Sequence, residues 1–220
     1  MTRRRNPYAG QDPATREAKA RGYPARSVFK LQEIDRRTQL FRPGLHVLDL
    51  GAAPGSWSLY ASQKVGAQGR VLAVDLQPIE QRFEPNVVVV EGSAFDLESE
   101  QLGQFAPYDI VLSDMAPRTS GVKFQDQSAS LELYLRALEV AAALGKPRSH
   151  FVGKLFMGPD FDTAMRATKA HYSKTRVIRP EGTRSVSKEV FLVGMGLRRS
   201  TEPSTEPSTE PLTEPLTEPG

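Results

Sequence analysis

Cysteine is absent from the 220-residue sequence, which excludes disulfides, thiolate metal sites and thiol nucleophiles. Histidine is scarce: His46, His150 and His171 stand singly, two of them opening apolar runs, and this points away from a metal centre. No apolar run approaches the length of a bilayer span. The first residues, MTRRRNPYAGQDPATREAKARGYPARS, carry arginines with no apolar block behind them, unlike a secretory signal. Asp12 and Glu17 interrupt the same stretch, which weakens a transit-peptide reading. A cytoplasmic protein is expected, and its 39% hydrophobic content suffices for one substantial core.

Negative charge is thin outside one segment. Residues 201–220, TEPSTEPSTEPLTEPLTEPG, hold five glutamates and no lysine or arginine, so the formal charge of +3 becomes +8 without them. Residues 1–42 carry eleven Lys/Arg against four Asp/Glu. Charge concentrated in this way suits a polyanion, and a basic arm can order on nucleic acid. The division expected is a basic flexible N-terminal arm over residues 1–22, one domain over 23–198 and a disordered Thr-Glu-Pro tail over 199–220.

Between arm and tail, short apolar runs alternate with helical patterns. Strands are expected at 45–50, 70–75, 86–90, 108–113, 149–155, 174–178 and 188–195, several of them apolar throughout, as strands buried on both faces must be. Helices are expected at 25–37, 56–64, 128–144 and 160–171, the third with Leu131, Tyr134, Leu135, Leu138 and Ala142 on one stripe. This alternation predicts an α/β fold with an open, mostly parallel sheet, whose ligands bind at the carboxyl ends of the strands.

Residues at those ends carry the chemistry. Gly51-Ala52-Ala53-Pro54-Gly55 follows the first strand, where missing side chains let main-chain N–H groups and a positive helix end approach a ligand. The run lacks the middle glycine of a G-x-G-x-x-G dinucleotide loop. Asp75 ends the second strand, 24 residues beyond Gly51, where a carboxylate can accept both hydrogen bonds of a ribose diol. An adenosine-containing cofactor follows, NAD and S-adenosylmethionine both remaining open. Asp114 follows the strand YDIVLS, Lys154 lies inside the apolar HFVGKLFMG, Glu189 opens EVFLVGM, and Lys30 borders the apolar arc of Val28, Phe29, Leu31 and Ile34. A buried ammonium is costly alone, so Lys154 needs a partner such as Asp114 or Glu189, or must give up its proton.

GAAPGSW, SDMAP, VGKLFMG and SVSKEVFLV, preceded by ARSVFKLQEID, resemble the FtsJ/RrmJ family of S-adenosylmethionine-dependent RNA ribose 2′-O-methyltransferases, in particular its RlmE branch, which modifies a uridine of 23S ribosomal RNA. The resemblance spans about residues 22–196. It implies a Rossmann-like class I methyltransferase fold with a seven-stranded, mostly parallel sheet flanked by helices. It implies a catalytic set of Lys154, Lys30, Asp114 and Glu189, and cofactor contacts at Gly55, Trp57, Asp75 and Asp114 for S-adenosyl-L-methionine, without metal. Ser56 stands where the family has a second glycine, Phe29 where a tyrosine is common before the lysine, and Ser93 where an aspartate associated with the adenine is usual, Asp96 lying three positions later.

The chemistry expected is removal of the ribose 2′-OH proton by uncharged Lys154. Lys30 supplies positive charge nearby, Asp114 orients the lysine and Glu189 positions Lys30 or the ribose. Trp57, at a helix start, is expected to pack beneath the cofactor. Phosphate contacts are expected from Arg3, Arg4 and Arg5, from Arg21, Arg26, Arg36 and Arg37, and from Arg179, Arg184 and Lys188. The expected partner is 23S rRNA within the large ribosomal subunit. The alternatives are the same chemistry on tRNA, a non-catalytic RNA-binding scaffold, and more distantly an NAD oxidoreductase.

Overall fold

Val-, Ile- and Leu-rich runs too short for helices pair into one sheet, and the longer striped segments cover its two faces. The computed structural model describes residues 12–95, 99–118, 120–181 and 189–198. In chain order the elements are α1 (Pro13–Ala20), α2 (Val28–Thr38), β1 (His46–Leu50), α3 (Ser56–Val65), β2 (Arg70–Asp75), β3 (Val87–Glu91), α4 (Ser99–Leu102), β4 (Tyr108–Ser113), α5 (Lys123–Leu144), β5 (Gly145–Phe156), α6 (Phe161–His171), β6 (Tyr172–Ile178) and β7 (Glu189–Leu197). Among the described residues the sheet has seven strands in the order β3-β2-β1-β4-β5-β7-β6. Pairing is parallel from β3 to β5, while β7 runs antiparallel to both β5 and β6. The order reverses between β1 and β4, where a crevice opens at the carboxyl ends. The expected mostly parallel, seven-stranded architecture is present.

Side-chain alternation along each strand splits the core in two. Leu48, Leu50, Leu72, Val111, Phe151 and Leu192 meet α5 and α6 on one face. Val47, Val71, Ile110, Val152, Phe191 and Val193 meet α1, α2 and α3 on the other. Val28, Leu31 and Ile34 of α2 are fully buried there. Each contributes roughly 1.5–3 kcal/mol of burial, so apolar packing fixes the helix that carries Lys30.

Besides the short α4, which was not expected, and shifts of one to three residues elsewhere, three boundaries differ from expectation. Residues 12–22, expected within a flexible arm, include α1, started by Pro at its first turn and an Asp12 cap, with Ala18 fully buried in the core. Its single small apolar contact leaves no stripe to read. The expected helix 128–144 begins at Lys123, its polar first turn hiding the onset. β5 starts at Gly145 rather than 149, because Gly-Lys-Pro forms an irregular first stretch of strand whose register with β4 shifts before His150. Residues 1–11 and 199–220, with the expected arm tip and repeat tail, lie outside the described residues.

Candidate active site

A cavity of about 460 Å³ opens where the crevice was expected. Gly51 and Ala53 after β1, Asp75 and Leu76 after β2, Gly92 to Phe95 after β3 and Asp114 to Ala116 after β4 line it. Asp75 closes the loop from below: its Oδ2 accepts from Ala53 N and its Oδ1 from Gln77 N, both at 2.8 Å. Ser93 Oγ accepts from Phe95 N at 3.1 Å, shaping the turn at the cavity wall. Leu76 and Phe95 leave much of their apolar surface exposed on the same wall.

The loop glycines are required by protein as much as by any ligand. Both are left-handed, φ +78° at Gly51 and +104° at Gly55. A Cβ on Gly51 would sit 2.7 Å from Met115 Cγ, and one on Gly55 would sit 2.9 Å from both Gln81 Cβ and Phe83 Cζ. Gly51 lines the cavity, whereas Gly55 and the indole of Trp57 are not among its walls. Trp57 is buried, donates from Nε1 to Ser27 O at 2.9 Å and lies 5.6 Å from the Phe191 ring. Ser56, the departure from the family's glycine pair, is put to use: its Oγ accepts from Ala25 N at 2.8 Å and donates to Ala25 O at 3.0 Å. That pair of hydrogen bonds ties the loop after β1 to the segment entering α2, and so to Lys30.

The four charged residues singled out from the sequence meet as two ion pairs. Lys154 Nζ lies 2.9 Å from Asp114 Oδ1 and donates to Asp114 O at 2.5 Å. The directional bond goes to the main chain, and the carboxylate contact is chiefly coulombic: Oδ1 itself is buried without an aligned hydrogen-bond donor. Lys30 Nζ lies 2.5 Å from Glu189 Oε1. Antiparallel pairing explains how the two come together. Lys154 stands opposite Phe191 and Glu189 opposite Phe156, so Lys154 and Glu189 are diagonal neighbours on one face. Phe191 lies between the pairs, opposite Lys154 and 6.0 Å from Lys30 Nζ. All four side chains are at most a fifth exposed, and Lys154 is only 7% exposed.

A fifth charged group lies under the loop. Asp49 is fully buried, accepts from Ser58 Oγ at 2.6 Å through Oδ2, and has no partner at Oδ1. Burial first, then the negative charges of Asp114 and Asp75, push its carboxyl up to about 7, although the Ser58 hydrogen bond works the other way. The loop thus sits among three carboxyl groups: Asp49, pushed toward its neutral form, Asp114, paired with Lys154, and Asp75, which makes no ion pair with a described residue. Sequence reasoning singled out neither Asp49 nor Phe191. The first reads as the polar end of an apolar run, and the second acquires its place only through the antiparallel register.

Residues 23–197 match the family of FtsJ-like methyltransferases. The chain belongs to that family. A protein of Sorangium cellulosum named Ribosomal RNA large subunit methyltransferase E is 60% identical to this methyltransferase over 191 residues, covering 87% of this chain and 90% of that protein. Its namesake in Bdellovibrio bacteriovorus is 46% identical over 192 residues, covering 86% and 97%. A crystal structure from Plasmodium falciparum, described as that of a ribosomal RNA methyltransferase, shares the fold with a TM-score of 0.70 at 22% identity, covering 80% of this chain and 98% of that one. Membership implies a methyl donor, for which the cavity is the candidate site.

The expected phosphate contacts divide in this methyltransferase by what already holds them. Arg21 pairs with Glu17 at 2.5 Å and lies over the Phe29 ring, Arg26 pairs with Asp12, and Arg37 pairs with Glu33. Arg36 is exposed and makes no ion pair with a described residue. Arg3, Arg4, Arg5, Arg184, Lys188 and the alternative Asp96 lie outside the described residues. Among the described residues no helix is long and apolar enough to cross a membrane.

Proposed function

We propose that the protein transfers the methyl group of S-adenosyl-L-methionine to the ribose 2′-OH of a uridine in large-subunit (23S) ribosomal RNA, with Lys154 receiving the hydroxyl proton. The observation that carries this reading is the double placement of Asp114, which lines the cavity and also holds Lys154. One carboxylate therefore links the candidate donor site to the candidate base. The names of the two relatives supply the RNA.

The cavity fits this donor. Its volume lies in the usual small-molecule range of roughly 300–1,000 Å³. Each Asp75 oxygen accepts one main-chain donor and retains a lone pair for a ribose diol. The exposed sides of Leu76 and Phe95 offer apolar surface to an adenine. Trp57 would serve through its main-chain N–H in the first turn of α3, where N–H groups lack intrahelical acceptors and suit a carboxylate, whereas Gly55 N already donates to Ala52 O at 2.7 Å and would serve by the bare main chain it presents. When bound, the donor supplies a methyl group on positively charged sulfur, already primed for displacement.

The chain's own residues supply alignment and proton removal. The 2′ oxygen would take the methyl carbon as the carbon–sulfur bond breaks, and Lys154 Nζ, acting as the base, would take the hydroxyl proton. Asp114 fixes that amine at the cavity's edge. Lys30, held by Glu189, places positive charge beside the oxygen as negative charge develops on it. Calorimetry with S-adenosylmethionine, followed by transfer of labelled methyl to large subunits, naked 23S rRNA and tRNA, tests the reading. Donor binding with label in large-subunit rRNA is expected. No donor binding, or label in tRNA alone, overturns it.

A further inference from the structure

The face that bears Lys154 continues beyond it in rows set by strand register. Lys154, Phe191 and Ile178 form one row, Val152, Val193 and Arg176 the next, and His150, Met195 and Lys174 the third. Successive rows are two residues apart, so the third lies roughly 14 Å from the first, toward the start of β5. Helix α2 covers the same face. It carries Lys30 near its start and the exposed Arg36 and Arg37 two turns on. Arg176 Nη1 donates to Arg37 O at 2.9 Å, joining the end of α2 to β6. Beyond α2, Arg42, Lys146 and Arg148 surround a polar depression of about 250 Å³, with Gln39, Asp109 and His150 in its wall.

Among the described residues, carboxylates pair with only part of this strip. Lys146 pairs with Asp109 at 2.7 Å, Arg37 with Glu33 and at 3.8 Å with Glu181, and Lys30 with Glu189. Arg36, Arg42, Arg148, Lys174 and Arg176 are exposed and make no ion pair with any described residue. Burial and then the charge of Arg42 push the His150 imidazole below its ordinary range, against the opposing pull of Asp109, so the field of that guanidinium already reaches the depression's wall. Arg148 has φ +69°, a costly conformation for a residue with a side chain, at the point where β5 breaks register with β4. Five cations without an ion pair among the described residues, on one continuous face ending in a depression, match the spaced negative charges of a phosphodiester chain.

We propose that this strip, running from the end of α2 across Lys174 and Arg176 to the Arg42–Arg148 depression, grips the backbone of the substrate RNA several nucleotides from the ribose at Lys154. The proposal rests on the RNA methyltransferase reading above. It assigns a distal contact surface to residues outside the reacting centre.

The test uses the full chain with Arg42→Ala, Arg148→Gly and Lys174→Ala combined, glycine being chosen because it tolerates the positive φ. Arg42→Glu alone serves as a second variant. Binding to naked 23S rRNA is measured across a salt series, beside the KM for RNA and the donor affinity. Three lost contacts should flatten the log–log salt slope by about 2, at roughly 0.7 per single-strand phosphate. KM for RNA should rise about tenfold or more and donor affinity should hold; Arg42→Glu should weaken RNA binding at low salt. Unchanged slopes and KM in both variants, with a wild type that methylates rRNA, overturn the strip and leave the methyltransferase reading standing. A wild type that binds and methylates no RNA overturns both.

Discussion

Replacing Lys154 by arginine separates the two roles of its amine. As a cation it accompanies Asp114 at 2.9 Å in a site where its side chain is 7% exposed. As a base it must shed a proton, which arginine does not do in proteins. Lys154→Arg should therefore keep the ion pair, the fold and donor binding while losing proton transfer. A positioned base commonly supplies about 10²–10⁴-fold, a barrier change of roughly 3–5 kcal/mol, so single-turnover methylation should fall by that factor. Lys154→Met marks the other limit. It leaves the Asp114 carboxylate without its cation, a loss worth about 3–5 kcal/mol for a buried pair and nearer 3 here, because Asp114 is 19% exposed to water. Urea melts measure that cost, calorimetry measures donor affinity, and rapid-quench transfer of labelled methyl measures the rate. An arginine variant that folds, binds donor and methylates within about threefold of wild type refutes the assignment of Lys154 as proton acceptor.

Glu189→Gln should leave donor affinity intact while single-turnover methylation drops about 10²-fold, since Lys30 loses its carboxylate partner at 2.5 Å and its set position; equal rates would dismiss that positioning role. Gly55→Ala puts a Cβ 2.9 Å from Gln81 and Phe83 at φ +104°, and should cost at least about 1–2 kcal/mol in melts with weakened donor binding. Asp49 gives a pH signature. Its carboxyl rises from 3.8 to about 7 in the folded protein, so between those pH values the folded state holds a proton that the unfolded state has released. Stability is thus greatest below pH 4 on this account and is lost as pH rises through 7, by at most about 4 kcal/mol, and Asp49→Asn should remove that decline. Parallel stability curves for wild type and Asp49→Asn would contradict it.

How far the sequence could be read depended on whether a feature was local. All seven strands announce themselves as apolar runs between polar breaks, and the sheet follows from their alternation with helices. α1 was hidden because PATREAKA buries little beyond Ala18 and carries three charges, so it reads as a solvated arm. Three of the four charged residues were visible as a polar intrusion in an apolar strand or at strand ends, and Lys30 as a charge bordering the apolar arc of a helix. Which lysine meets which carboxylate was not, because that depends on the β5–β7 register and the docking of α2. Gly51 and Gly55 mark the loop correctly, but the side chains that demand them, Met115, Gln81 and Phe83, come from distant segments. Phe191 and Asp49 owe their places to pairing and burial that no motif spells out.

Digestion to nucleosides of 23S rRNA methylated in vitro with isotopically labelled S-adenosylmethionine tests the central claim most directly, because it locates the methyl group on a particular atom. Wild type should yield the label as 2′-O-methyluridine, and Lys154→Arg should yield almost none in the same interval. Label on a base, or undiminished 2′-O-methyluridine from the arginine variant, would contradict a lysine that strips a ribose hydroxyl beside Asp114.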